Sequence, residues 1–130
     1  MTFDWQDEYS VGVPYLDQQH RKLLCLCKEA EQCLHNDGGQ EDDEFHNILH
    51  AMRRYAQEHF KVEEALLSMH GYHGLEAHRE QHGEFLLALI DFIERASHGD
   101  LAKQEVSEFL KRWWFRHILE DDMAYKAFFS

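Results

Sequence analysis

The stretch HREQHGEF, residues 78–85, sets two imidazoles, His78 and His82, four positions apart. A second stretch, HFKVEEALL at 59–67, sets His59 and Glu63 at the same spacing. On an α-helix, residues four apart lie about 40° from one another, so each pair shares a face. Imidazole suits zinc, copper, iron and nickel, and a carboxylate can bridge two ions, so the chemistry on offer is metal binding. Spacing alone does not decide the matter, because His46 and His50 repeat it. The deciding question is which face of its helix each residue occupies.

The helices themselves can be read from the breakers. HNDGGQ (35–40), HGYHG (70–74) and SHGD (97–100) carry most of the glycines and read as turns. Between them lie segments of about 17–35, 41–68, 75–96 and 101–118, each a plausible helix. The only proline, Pro14, precedes them all, in an extended N-terminal arm of residues 1–16. Short connections make neighbouring helices antiparallel, which predicts an all-α, up-down-up-down four-helix bundle forming a single domain over residues 1–130. Phe3, Trp5 and Tyr9 of the arm, and the aromatic tail MAYKAFFS, are expected to dock on that bundle.

Each histidine can then be placed against its apolar stripe. In the third segment the stripe is Leu75, Phe85, Leu86, Leu89, Phe92, Ile93 and Ala96, with His78 and His82 in its middle. In the second it is Phe45, Ile48, Leu49, Met52, Ala56, Leu66 and Leu67, and His59 and Glu63 fall inside it. His46 and His50 fall roughly 100° and 140° from Phe45 and read as surface residues. In the first segment His20 is central to Leu16, Leu23, Leu24, Cys27 and Leu34. In the fourth, His117 follows Val106, Leu110, Trp113 and Trp114. Every helix therefore turns at least one imidazole inward. A carboxylate inside an apolar stripe is costly unless paired or metal-bound, and five buried imidazoles have too few acceptors without a cation. His35, His46, His50, His70, His73 and His98 fall at turns or outward faces, and Glu64 is expected to be solvated.

Five imidazoles and one or two carboxylates exceed the needs of one tetrahedral zinc. No H-E-x-x-H or C-x-x-C signature supports hydrolytic zinc chemistry, and calcium or magnesium would ask for oxygen ligands. The cores of helix bundles do hold dinuclear iron. A set this poor in carboxylates donates little negative charge, so reversible binding of a small ligand is a gentler expectation than oxidation through high-valent iron. No nucleophile–base pair suggests other catalysis.

The bulk numbers narrow the field further. A chain of 130 residues with 44% hydrophobic content, nine Phe, five Tyr and three Trp supports a packed core. The net charge of −12 argues against nucleic acid and anionic membrane as partners. The longest apolar run, FLLALIDFI, is too short to cross a bilayer. MTFDWQDEYSVGVPYLD has no secretory character, and Cys25, Cys27 and Cys33 crowd one helix in a way that suits reduced thiols, so a cytoplasmic location is expected.

In its order of motifs the chain resembles the hemerythrin family, and more closely its bacterial single-domain form. VGVPYLDQQHRKL (11–23), HFKVEEALL (59–67), HREQHGEF (78–85) and WWFRHILEDD (113–122) are similar to the family's four ligand motifs. The resemblance implies a cofactor of two non-haem iron ions with an oxo or hydroxo bridge. His78, His82 and His117 would fill one ion, His20 and His59 would serve the other with a position left open, and Glu63 and Asp122 would bridge. It implies reversible dioxygen binding for storage or delivery, with an oxygen-consuming enzyme as recipient and a monomeric protein. An oxygen or redox sensor acting through a partner, or a di-iron enzyme reducing peroxide or nitric oxide, are the alternatives. On an unbroken helix Asp121 shares the face of His117 while Asp122 turns about 140° away. Asp122 as ligand therefore requires the helix to loosen after His117. The sequence departs from the family at His73, where proline is common, at Trp114, where leucine is usual, and at Cys27, a position often held by asparagine.

Overall fold

The structure, a computed structural model, describes residues 3–35 and 39–129. Helix α1 runs Pro14–Gln32 and closes in a tight turn, Cys33–His35. It begins earlier than the expected residue 17, because a proline needs no hydrogen-bonded N–H in a first turn and its fixed φ suits that position. Asp17 ties the entry down, accepting the Val11 N–H at 2.8 Å and the Ser10 hydroxyl at 2.5 Å. The turn expected at 35–40 falls largely on residues 36–38, outside the described residues. Helix α2, Gly39–Met69, is the longest, and α3 spans Leu75–Ser97.

The fourth segment departs most from expectation. Helix α4, Lys103–Trp113, does not stop near 118 but continues as nine residues of π-helix, Trp114–Asp122, and then as α5, Met123–Phe129. A π-helix bonds i to i+5, is wider than an α-helix and is rare over this length.

Helix α2 packs against both α1 and α3, its neighbours in sequence, and α1 also packs against α4, which closes the bundle. The α2–α3 turn needs Gly71 at φ +66°. It also needs Gly74 without a side chain, since a Cβ there would stand 2.6 Å from the Tyr72 ring. His73, in the same turn, is exposed. No strand occurs among the described residues, and no helix is long and apolar enough to cross a membrane.

Two apolar clusters lie one above the other. The larger joins Leu23, Leu24, Phe45, Leu49, Met52, Phe60, Phe85, Leu89, Leu110 and Trp114 with Phe3 and Tyr9 of the arm. The smaller joins Val11, Leu16, Leu67 and Tyr125, so the tail docks through α5. His20 follows Leu16 and precedes Leu23, while Glu63 stands between Phe60 and Leu67. A polar layer is thus sandwiched between two apolar ones.

Candidate metal centre

That layer holds seven side chains from every helix of the bundle: His20 on α1, His59 and Glu63 on α2, His78 and His82 on α3, and His117 and Asp122 on the π-helical stretch. All seven are buried, with Glu63, Asp122, His20 and His59 fully enclosed. Their ligand atoms form two pockets, one of Glu63, His78, His82, His117 and Asp122, the other of His20, His59, Glu63 and Asp122.

The two carboxylates divide their oxygens between these pockets. Glu63 Oε1 lies 3.3 Å from His78 Nε2 and 3.0 Å from His82 Nε2, while its Oε2 lies 3.5 Å from His20 Nε2 and 3.4 Å from His59 Nε2. Asp122 Oδ1 lies 2.6 Å from His78 Nε2 and 3.2 Å from His117 Nε2, and its Oδ2 lies 3.2 Å from His20 Nε2. Ligand atoms about 2.1 Å from one ion, at right angles to each other, stand about 3 Å apart, which is the spacing found here.

The π-helix is what admits Asp122. Its wider turn swings residue i+5 under His117, so Asp122 is completely buried and Asp121 is displaced to the half-buried rim, 3.6 Å from His117 Nδ1. An uninterrupted α-helix would have exchanged the two.

Outside this layer a further shell of contacts fixes the rings. The His59 Nδ1–H donates to Gln19 Oε1 at 2.6 Å, and the His82 Nδ1–H donates to Glu64 Oε2 at 2.8 Å. Either bond leaves the Nε2 lone pair facing inward, which is how ligating imidazoles are usually held. Tyr125 donates its hydroxyl to Glu63 Oε2 at 2.9 Å. Phe60 stacks on His82 with ring centroids 3.8 Å apart, and Trp113 on His117 at 4.4 Å. Trp114 meets His20 edge-on at 6.3 Å.

Glu64 is therefore not the solvated side chain expected of it. It faces α3, where it pairs with His82 and, at 3.5 Å, with Arg79. Gln19 and Tyr125 did not emerge from sequence reasoning. Gln19 sits about 100° from His20 on α1, a position that faces the neighbouring α2. Tyr125 had as its signal only membership of an aromatic tail. His46 and His50 stand apart from the cluster, but they are half-buried, their rings 4.7 Å apart, and not fully on the surface. His70, His73 and His98 are exposed. The three cysteines are free and none joins either pocket.

The donor set fits a pair of cations. His20 Nε2, His59 Nε2, His82 Nε2, His117 Nε2, Glu63 Oε1 and Asp122 Oδ2 are all buried and make no hydrogen bond. So many orphaned polar atoms aimed at two points would be expensive in a purely structural core. Bound cations would satisfy them together.

In the metal-free protein the same groups hold one another's charge. Burial alone would lower the His78 and His20 imidazoles, but the Asp122 and Glu63 carboxylates beside them outweigh it and hold them up, at about 10 and about 9. Burial keeps His59 below its ordinary value. Burial would raise Glu63 and Asp122, yet the surrounding imidazoles bring both below the usual carboxylate range. The stability contributed by His20 and His78 is fully present below the unfolded value of about 6.5. It is lost as pH rises through about 9 and about 10. The carboxylates' contribution is present above about pH 4 and lost on acidification below it. Chelator-treated protein should accordingly melt at a higher temperature at pH 6 than at pH 9, with acid unfolding below pH 4. Metal loading should reverse the slope above pH 6, since ligation requires unprotonated imidazole. A melting temperature of stripped protein that climbs from pH 6 to 9 would contradict this account.

A four-helix bundle whose core presents a buried cluster of imidazoles and carboxylates is a cation-binding bundle by class. The chain belongs to the hemerythrin family. The model of that family, described as the hemerythrin HHE cation binding domain, matches residues 11–129. A bacteriohemerythrin of Clostridium acetobutylicum is 32% identical over 95% of this chain and 98% of its own length. One of Pseudomonas paraeruginosa is 30% identical over 93% of this chain and 77% of its own. A crystal structure of wild-type hemerythrin superposes with a TM-score of 0.84 at 23% identity, over 95% of both chains, and attests the fold.

Proposed function

We propose that the protein binds dioxygen reversibly at a non-haem di-iron centre, for storage or for delivery to an oxygen-consuming enzyme. The observation that carries this reading is the division of the Glu63 and Asp122 oxygens between two imidazole-rich pockets of unequal size. His78, His82 and His117 would hold one iron together with both carboxylates. His20 and His59 would hold the other, where one donor fewer leaves room for a small ligand. Bound there, the iron pair supplies the two electrons that reversible dioxygen binding draws on. Names of the relatives, bacteriohemerythrin and hemerythrin, support the same reading.

The chain's own residues favour reversibility. Apolar clusters above and below the layer limit water, and all seven donors are shielded from solvent. Burial, with the Glu63 and Asp122 charges nearby, pushes the Tyr125 phenol far up, so it stays a neutral donor to Glu63 Oε2. That oxygen belongs to the pocket with room to spare, and the hydrogen bond draws charge away from it. Tyr125→Phe should leave the metal content unchanged but speed oxidation in air several-fold, because a stronger-donating carboxylate favours the ferric state. Iron analysis and the time course of oxidation check both halves.

The reading itself is tested by reducing the iron-loaded protein anaerobically, admitting oxygen and then removing it. A visible charge-transfer band that appears with oxygen and vanishes on deoxygenation supports a carrier. Rapid one-way oxidation with turnover of reductant would sink it in favour of a redox enzyme.

A further inference from the structure

The outer nitrogens of the imidazoles are treated differently in the two pockets. In the pocket of His78, His82 and His117, the His82 Nδ1–H donates to the Glu64 carboxylate at 2.8 Å. His117 Nδ1 lies 3.6 Å from the Asp121 carboxylate, too far for a hydrogen bond, and has no hydrogen-bond partner among the described residues. In the other pocket the His59 Nδ1–H meets only the neutral amide oxygen of Gln19, at 2.6 Å. His20 Nδ1, like His117 Nδ1, is buried with no hydrogen-bond partner among the described residues, and no carboxylate stands behind it within ion-pair distance. An anionic acceptor behind an imidazole raises its basicity and fixes its ring, while a neutral amide fixes the ring and adds less charge.

Donor number and outer charge thus point the same way. One pocket has five donors, a carboxylate hydrogen-bonded to His82 and a second carboxylate 3.6 Å from His117; the other has four donors and a neutral amide on His59. The bridging carboxylates are common to both and cannot discriminate between them. Glu64 can. It touches one pocket only, through His82, and Arg79 holds it from the far side at 3.5 Å.

We infer that the two pockets fill in a fixed order, the His78–His82–His117 pocket first and more tightly, with Glu64 as the positioning residue that widens the gap. The His20–His59 pocket is then the labile one, the place where metal is lost or exchanged. The inference rests on the two-cation reading of the site but not on dioxygen as the ligand.

Cobalt(II) titration of the chelator-stripped full chain tests it, read by d–d absorption and calorimetry, with helicity checked by circular dichroism. In the unmodified protein the first equivalent should bind at least about 10-fold more tightly than the second. His59→Ala should abolish the weak step and keep the tight one. Glu64→Gln should weaken the tight step by about 10–100-fold and leave the weak step within about 2-fold, with Glu64→Asp recovering part of the loss. Gln19→Glu provides an independent arm, because it adds the missing charge behind His59 and should tighten the weak step.

Two cobalt ions binding with equal constants would overturn the order while leaving a dinuclear site. A tight step unchanged in Glu64→Gln together with a weak step unchanged in Gln19→Glu would overturn the role of outer charge. A protein that takes up no cobalt would overturn both the order and the two-cation reading. Ordered constants in a protein whose iron form fails the oxygenation cycle would support the order and sink only the dioxygen reading.

Discussion

If the two pockets hold iron as proposed, Glu63→Ala should empty both at once, reducing bound iron from two ions per chain to a trace. Among the described residues, Glu63 is the one side chain whose two oxygens each sit within 3.5 Å of two imidazoles, one pair in each pocket. Removing it takes a ligand from both ions and half the carboxylate charge from the cluster, so neither pocket has a complete set to fall back on. The metal-free variant should also be less stable at neutral pH than metal-free wild type, by about 3–5 kcal/mol, the usual cost of taking one partner from a buried charge pair. His20 and His78 would be left with Asp122 alone to hold their protons, and Tyr125 would lose its acceptor. Iron analysis and denaturant titration of stripped protein measure the two effects separately. A variant that keeps one ion at wild-type affinity would show that Glu63 serves a single pocket.

The second large effect separates two adjacent aspartates. Asp122→Ala should lose most of its iron, whereas Asp121→Ala should keep both ions, with at most a few-fold weaker hold through His117. Asp122 is fully buried, with an oxygen on each pocket, while Asp121 touches only the outer nitrogen of His117 at 3.6 Å. The prediction depends wholly on the π-helical path of Trp114–Asp122. Were this stretch to run as ordinary α-helix, the roles would exchange, and iron loss confined to Asp121→Ala would be the sign of it. A nine-residue π-helix gives up good α-helical hydrogen-bond geometry, and such departures concentrate at functional sites. Here it delivers a carboxylate that α-helical phase would turn away.

Much of this was legible before any fold was built. Helical period placed His20, His59, Glu63, His78, His82 and His117 on their apolar stripes, because burial of an amphipathic helix obeys the same phase along its whole length. Breakers separated α2 from α3 and α3 from α4 for the same local reason, although α1 starts at Pro14 and the last helix runs on through α5. The bundle and the docking of the arm and tail were legible too; what failed were readings of single side chains whose surroundings a neighbouring helix supplies. Glu64 reads as solvated on its own helix and becomes a hydrogen-bond acceptor only because α3 brings His82 and Arg79 against it. His46 and His50 read as surface and are half-covered.

By itself, then, the sequence determined the composition of the site: which imidazoles and which carboxylate of α2 turn inward, and that a core so furnished calls for cations. Those are properties of single helices, set by a 3.6-residue period that any stretch carries alone. The division into two pockets and the choice of Asp122 over Asp121 were implied by the family resemblance but not by helical phase; the tertiary structure alone decided the oxygen each carboxylate gives to each pocket and the partners Gln19, Glu64 and Tyr125. Each of these depends on contacts between helices or on a local change of helical pitch, and neither is encoded in the phase of one helix.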